Sequence, residues 1–206
     1  MKSSPRGYRS KLREDRAEQT RAKILESART LFADQGFAQT KIEEVATAAG
    51  VATPTVYAVF GGKGGMLRAL LGEMERHAGL PGFLERFDAR DDERAQLRTF
   101  VHWIRTFYEQ GAPLLRAALA ATTDTDVAAM VVEGDSKRKE AVQRLASTWH
   151  EHGSLRDGLT RKQAAESMWM LTSVEQFLFA TDRLNWTPVR YERWLCDLME
   201  RELFDR

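Results

Sequence analysis

Apolar residues recur at helical spacing along most of the chain, and alternation with a period of two is absent, so the pattern predicts an all-α protein of about nine helices. Ile24, Ala28, Leu31 and Phe32 share one face of a first helix over 16–34, with Leu25 beside them; Gly36 ends it in a left-handed cap and Phe37 returns to the core. A second helix opens at Thr40, where Thr40 and Glu43 have capping-box spacing, and it turns Ile42, Val45, Ala46 and Ala49 inward. Gly50 permits a sharp turn, and Val51 plugs the core beneath it. A third helix starts at Thr53-Pro54, with Thr53 as cap and Pro54 at the first helical position, where a missing N–H costs nothing. Val56 and Phe60 point inward, leaving Thr55, Tyr57, Ala58 and Val59 around the helix start and outer face. Two short helices joined by a glycine turn have the shape of a helix-turn-helix, whose second helix fits the major groove of DNA.

The remaining two thirds read as a helical body. A fourth helix covers 63–78 and breaks at "GLPG". A fifth covers 91–110 through Leu97, Phe100, Val101, Ile104, Phe107 and Tyr108, with Gly111 and Pro113 marking the next turn. "PLLRAALAA" is a short helix of high propensity, "TTDTD" interrupts it, and a long helix follows to about His150. Thr160 and Gln163 make a second capping box for a helix over 161–183, apolar around most of its circumference. Thr187-Pro188 caps a last helix with Tyr191, Trp194, Leu195 and Leu198 as its stripe.

Composition narrows the class. With 43% hydrophobic and 30% charged residues the chain is ordinary globular material, and 206 residues suit one larger domain or two modest ones. No apolar run approaches a membrane span, and the N-terminus lacks the apolar middle of a signal peptide, so a cytoplasmic protein is expected. One cysteine, Cys196, excludes an intramolecular disulfide framework, and four scattered histidines offer no metal cluster; no cofactor is expected. The net charge of +1 hides an asymmetry: residues 1–63 carry 11 Lys+Arg against 7 Asp+Glu, whereas 64–206 carry 20 against 23. A basic N-terminal third suits an anionic partner. Residues 1–15 read as a flexible basic arm that becomes helix near Arg13, able to follow a phosphate backbone or to act as a solubilising tail.

With Thr40, Ile42, Val45-Ala46, Ala49-Gly50-Val51, Thr55, Tyr57, Phe60, Lys63 and Met66-Leu67 in register, residues 20–70 resemble the DNA-binding domain of the TetR family of transcriptional repressors. The resemblance implies a helix-turn-helix domain over 16–62, a ligand-binding and dimerisation domain over 63–206, double-stranded operator DNA and a small-molecule effector as partners, and a homodimer that does not involve a membrane. It assigns DNA contacts to Thr40, Lys41, Thr53, Pro54, Thr55, Tyr57 and Val59, and a phosphate contact to Lys63. The chain departs from the family where Ala52 replaces a capping Ser and Val59 stands at a frequent His; "GGKGG" is rich in glycine for a junction and is expected to loosen the link between domains.

For the C-terminal domain the resemblance is looser. It implies a pocket among central helices, for which Phe100, Trp103, Phe107, Trp149, Met168, Trp169, Thr172, Glu175 and Phe179 are candidates, suited to an apolar or aromatic molecule. Glu175 is the one acid in an apolar run, expected to bind a cationic or hydroxyl-bearing group or to pair with an arginine. Leu171, Val174, Leu178, Trp194 and Leu198 are implied at the dimer seam. The main reading is thus a ligand-responsive repressor. Two others stand beside it: a helical adaptor without specific DNA binding, which the third helix's lack of Arg, Asn and Gln leaves open, and an enzyme, for which no nucleophile elbow, metal cluster or strand-borne glycine loop is present.

Overall fold

The computed structural model describes residues 5–77, 79–88 and 92–204. Among these the chain forms α1 (Pro5–Gln35), α2 (Ile42–Ala49), α3 (Thr53–Phe60), α4 (Lys63–His77), α5 (Leu80–Asp88), α6 (Glu93–Ala120), α7 (Thr125–Glu151), α8 (Arg161–Leu171), α9 (Val174–Leu178), a single π turn (Phe179–Arg183) and α10 (Pro188–Leu203), with no strand.

Several boundaries differ from those the local pattern predicts. Helix α1 begins at Pro5, so the backbone over 5–15 is helical where a flexible arm is expected; residues 1–4 of that arm lie outside the described residues. Helix α5 occupies a stretch the pattern leaves open, and its proline falls in the first turn, where a helix tolerates it. The largest difference is α6, whose 28 residues run through Pro113 without a turn. Pro113 supplies no N–H, but it is exposed while Ala112, Leu114, Ala117 and Ala118 around it are buried, so packing on the opposite face holds the helix through the defect. The segment 161–183, read as one helix, is broken at Thr172-Ser173, where the Ser173 hydroxyl caps α9 by accepting from the Gln176 N–H.

Two apolar cores form. One unites Ile24, Phe32, Val45 and Val56 of α1–α3 with Met66, Leu67 and Leu70 of α4, and then with Leu114, Ala117 and Ala118 of α6 and Val127 and Met130 of α7. The other joins the first half of α6 to α5, α7, α8, α9 and α10. The core of the N-terminal domain therefore does not stop at residue 62. It includes the elbow between α6 and α7, and α6 is one continuous helix shared by both cores. At the α4–α6 crossing the Met74 thioether occupies the space beside Gly111: a Cβ there would lie 1.9 Å from the Met74 sulfur. Ion pairs fasten α6 to the C-terminal helix, with Arg98 bidentate on Glu200 at 2.6 and 3.1 Å and Arg105 on Glu192 at 2.6 Å. Among the described residues no helix is long and apolar enough to cross a membrane.

Candidate nucleic-acid interface and the core polar network

Helix α2 starts one residue later than the Thr40–Glu43 box predicts. Lys41 is the N-cap residue, and the Glu44 carboxylate accepts from the Lys41 N–H at 3.0 Å and from the Gln35 amide at 2.9 Å. Those bonds, the backbone one foremost, hold the Glu44 carboxyl below the usual carboxylate range, so its contribution to the helix start is lost only as pH falls through that depressed value. Thr40 is only 1% exposed; its hydroxyl donates to the Gly36 carbonyl at 2.8 Å and its N–H to the same oxygen at 3.3 Å. Neither group of Thr40 is presented to a phosphate. Its part is to close the α1–α2 turn, while the neighbouring Lys41 is exposed. Gly50 caps α2 at φ 67°, a conformation L side chains rarely adopt, and turns the chain into α3.

In α3 the cap position is Ala52, which makes no side-chain cap bond, and Thr53 is the first helical residue rather than the cap. Val56 is fully buried and Phe60 half-buried beneath the Arg21 guanidinium, 4.6 Å from the ring centroid. Pro54, Tyr57, Ala58 and Val59 are exposed and Thr53 and Thr55 half-buried, so the outer face of α3 lies open to solvent. Of the residues expected to meet DNA, Lys41, Pro54, Tyr57 and Val59 are therefore accessible, and Thr53 and Thr55 partly so.

Lys63 has another occupation. Its ammonium donates to the carbonyls of Phe37 at 2.9 Å and Ala38 at 3.2 Å and lies 4.8 Å from the Phe37 ring centroid. It ties the start of α4 to the α1–α2 turn. Lys63→Met is expected to lower stability by about 1–2 kcal/mol, the worth of two charge-assisted bonds partly open to water. A thermal melt checks this; an unchanged midpoint would return the lysine to a role at phosphate. The glycines around it do not loosen the junction. A Cβ on Gly65 would sit 1.8 Å from the Phe60 carbonyl oxygen, so α4 presses directly on the end of α3.

The second site lies where α8 breaks. The carbonyls of Trp169, Leu171 and Thr172 there each meet a side chain from another helix. The Tyr108 hydroxyl donates to Thr172 O at 2.8 Å, and the Tyr191 hydroxyl donates to Leu171 O at 3.3 Å. Arg138 donates to Trp169 O and to the Thr172 hydroxyl, the latter at 3.1 Å. The Asp135 carboxylate accepts from Arg138 and, at 3.0 Å, from the Trp169 indole. Burial pushes both tyrosine hydroxyls well above their ordinary pKa, so they remain neutral donors. Beside this network runs a ladder of aromatic rings. Phe87, Phe83, Trp103, Phe107, Tyr108, Phe177, Tyr191, Trp194 and Trp186 follow one another at centroid separations of 5.2–5.9 Å.

The residues expected to line one pocket are thus divided. Met168, Trp169 and Thr172 stand at the network, and Trp103 and Phe107 in the ladder. Phe100 is buried in the same core. Trp149 is fully buried elsewhere, donating to Gln96 at 2.7 Å and meeting the Phe204 ring edge-on. Glu175 is exposed, which removes the reasoning from a buried acid, and Phe179 is 55% exposed. Tyr108, Arg138, Asp135, Phe177 and Tyr191 belong to the site and were not among the candidates. The hydroxyls carry no sequence signal of their own, and Arg138 lies within a charged run that reads as a solvated face. At the expected dimer seam Leu171, Val174, Leu178, Trp194 and Leu198 are all half-buried, beside exposed Met170, Phe179, Leu184 and Val189.

Residues 24–70, from within α1 into α4, match the family model described as bacterial regulatory proteins, tetR family. The match covers the α2–α3 pair and the helices that frame it, less than half of the chain. The fold of the chain is that of NalD, the secondary repressor of the MexAB-OprM multidrug efflux pump in Pseudomonas aeruginosa, at 22% identity and a TM-score of 0.71 over 91% of this chain and 97% of that one. Similar too are SmeT in complex with triclosan (21% identity, TM-score 0.70, 90% and 92% covered) and the fatty acid degradation regulator FadR from Bacillus halodurans (16% identity, TM-score 0.67, 97% and 96% covered). Comparison with curated proteins by sequence gives no match.

Proposed function

We propose that this chain is a cytoplasmic, ligand-responsive transcriptional repressor. It binds palindromic operator DNA as a homodimer and is released by a small apolar or aromatic effector. The observation that carries the reading is the continuity of α6. Its first half bears Trp103, Phe107 and Tyr108 of the ring ladder, and its second half packs in the same core as the DNA-facing helices. An effector among the rings that shifts α6 acts on α3 through α4, which shares a core with the second half of α6 and at Gly65 lies directly against the end of α3. SmeT, of the same fold, is seen with triclosan, an aromatic molecule, which favours an effector of that chemistry. The partly exposed strip from Met170 to Val189 supplies an apolar face for a second copy.

A gel shift on the protein's own upstream region, with Tyr57→Ala beside the unchanged protein, tests the reading. Tyr57 is 49% exposed, and its loss is expected to weaken operator binding at least about tenfold, two hydroxyl contacts per dimer each being worth about 1 kcal/mol. The dimer mass by sedimentation is expected to stay unchanged. Equal affinity of both proteins for specific and random duplexes would remove the repressor reading.

A further inference from the structure

The centre of the outer face of α3 is hydrocarbon, flanked by the hydroxyls of Thr55 and Tyr57. The helix reads Thr-Pro-Thr-Val-Tyr-Ala-Val-Phe, with no charged and no amide side chain in its eight residues. Val56 marks the inward direction, being fully buried. Pro54 and Ala58, four residues apart and so stacked on one line of the helix, lie opposite it, and both are exposed. Tyr57 flanks them on one side; Thr55 and Val59, the latter 37% exposed, flank them on the other. Base edges in the major groove offer nitrogens, oxygens and amino groups that demand hydrogen-bonding partners, together with one group satisfied by hydrocarbon, the 5-methyl of thymine. Pressed against Pro54, Ala58 and Val59, the polar edges of a G·C pair would be stripped of water and left unmatched, while a thymine methyl would be buried at a gain.

We infer that Pro54, Ala58 and Val59 form an apolar reading surface that selects thymine by its 5-methyl group in each operator half-site. This rests on the DNA-binding reading above and adds the chemistry by which the sequence is chosen. Phosphate contacts by Lys41 and the basic residues of α1 supply affinity without sequence information, so the preference has its source on α3.

The test uses the full-length protein and the tightest duplex recovered from a random-sequence pool. Each half-site thymine is replaced in turn by deoxyuridine, which removes the methyl and leaves base pairing intact. At one position per half-site the substitution is expected to weaken binding about fifteenfold across the palindrome, since one buried methyl is worth a factor of about 4 and the dimer buries two. Ala58→Ser combined with Val59→Ser, at two exposed positions that leave the core untouched, is expected to bring the thymine-to-uracil ratio to within about twofold of unity. Circular dichroism and dimer mass monitor its fold. A selected duplex bound equally well with thymine and with uracil at every position overturns this inference and leaves the regulator standing. A pool from which no duplex is bound above random DNA overturns both.

Discussion

Gly65→Ala is expected to lower the melting midpoint by about 5–10 °C and to reduce operator affinity by at least about tenfold, from one added methyl group. That methyl would lie 1.8 Å from the Phe60 carbonyl oxygen and 2.9 Å from its carbon, and both are backbone atoms that cannot rotate away. Either α4 or the end of α3 must move. Overpacking of this kind costs about 2–3 kcal/mol, which in a chain of this size corresponds to the stated shift. The relief has a direction: displacing the end of α3 carries Tyr57 and Val59 with it, so the loss of binding is expected to exceed the loss of stability. Gly64→Ala is the control. Its Cβ would meet the Asp126 Cβ at 3.1 Å and a carboxylate oxygen at 3.3 Å, contacts that a shift of a few tenths of an ångström relieves. Equal midpoints for Gly65→Ala and the unchanged protein would show that the α3–α4 junction has slack after all.

Arg138→Leu is expected to cost about 2–3 kcal/mol and to alter the near-ultraviolet dichroism of the tryptophans. Its side chain is 14% exposed, and it answers the Trp169 carbonyl, the Thr172 hydroxyl and the Asp135 carboxylate together. A leucine fills much of the volume but leaves those acceptors without their donor, a penalty discounted for the water that reaches Asp135. Lys139 provides the comparison. Its ammonium stands 4.7 Å from the same Trp169 ring but is exposed, so Lys139→Leu is expected to cost less than about 1 kcal/mol. If the two variants melt together, Arg138 does not hold the break between α8 and α9.

What the sequence made legible follows the range of the forces involved. The order α1–α2–α3 was readable because Gly50 and the stripes of Ile24, Val45 and Val56 are local features, each decided within a turn or two of helix. Thr40 was misplaced because Glu43 and Glu44 both stand at box distance from a candidate cap. The choice between them is made by the Gly36 carbonyl, which draws the Thr40 hydroxyl into the turn. Lys63 has the character of a phosphate contact in sequence; two carbonyls from a segment 25 and 26 residues away give it a structural duty instead. Pro113 and Gly111 read as a turn because their intrinsic preferences oppose a helix, and burial of their neighbours against α4 outweighs those preferences. The break at Thr172-Ser173 was hidden for the opposite reason. Its local sequence is compatible with helix, and the groups that satisfy its open carbonyls, Tyr108, Arg138 and Tyr191, come from three other helices. Glu175 was read as buried from its apolar neighbours in sequence, whereas the new helix start that Ser173 makes turns it to solvent.

The central claim is that two copies of α3 stand exposed on one side of a two-fold particle, spaced to enter one duplex. Selection of bound sequences from a random pool, followed by measurement of the number of chains per selected duplex, tests it most directly. The expected outcome is an inverted repeat with half-site centres one helical turn, about 34–36 Å, or a multiple of it apart, and an even number of chains on each duplex. A single asymmetric motif bound by one chain, or no enrichment over the starting pool, would contradict it.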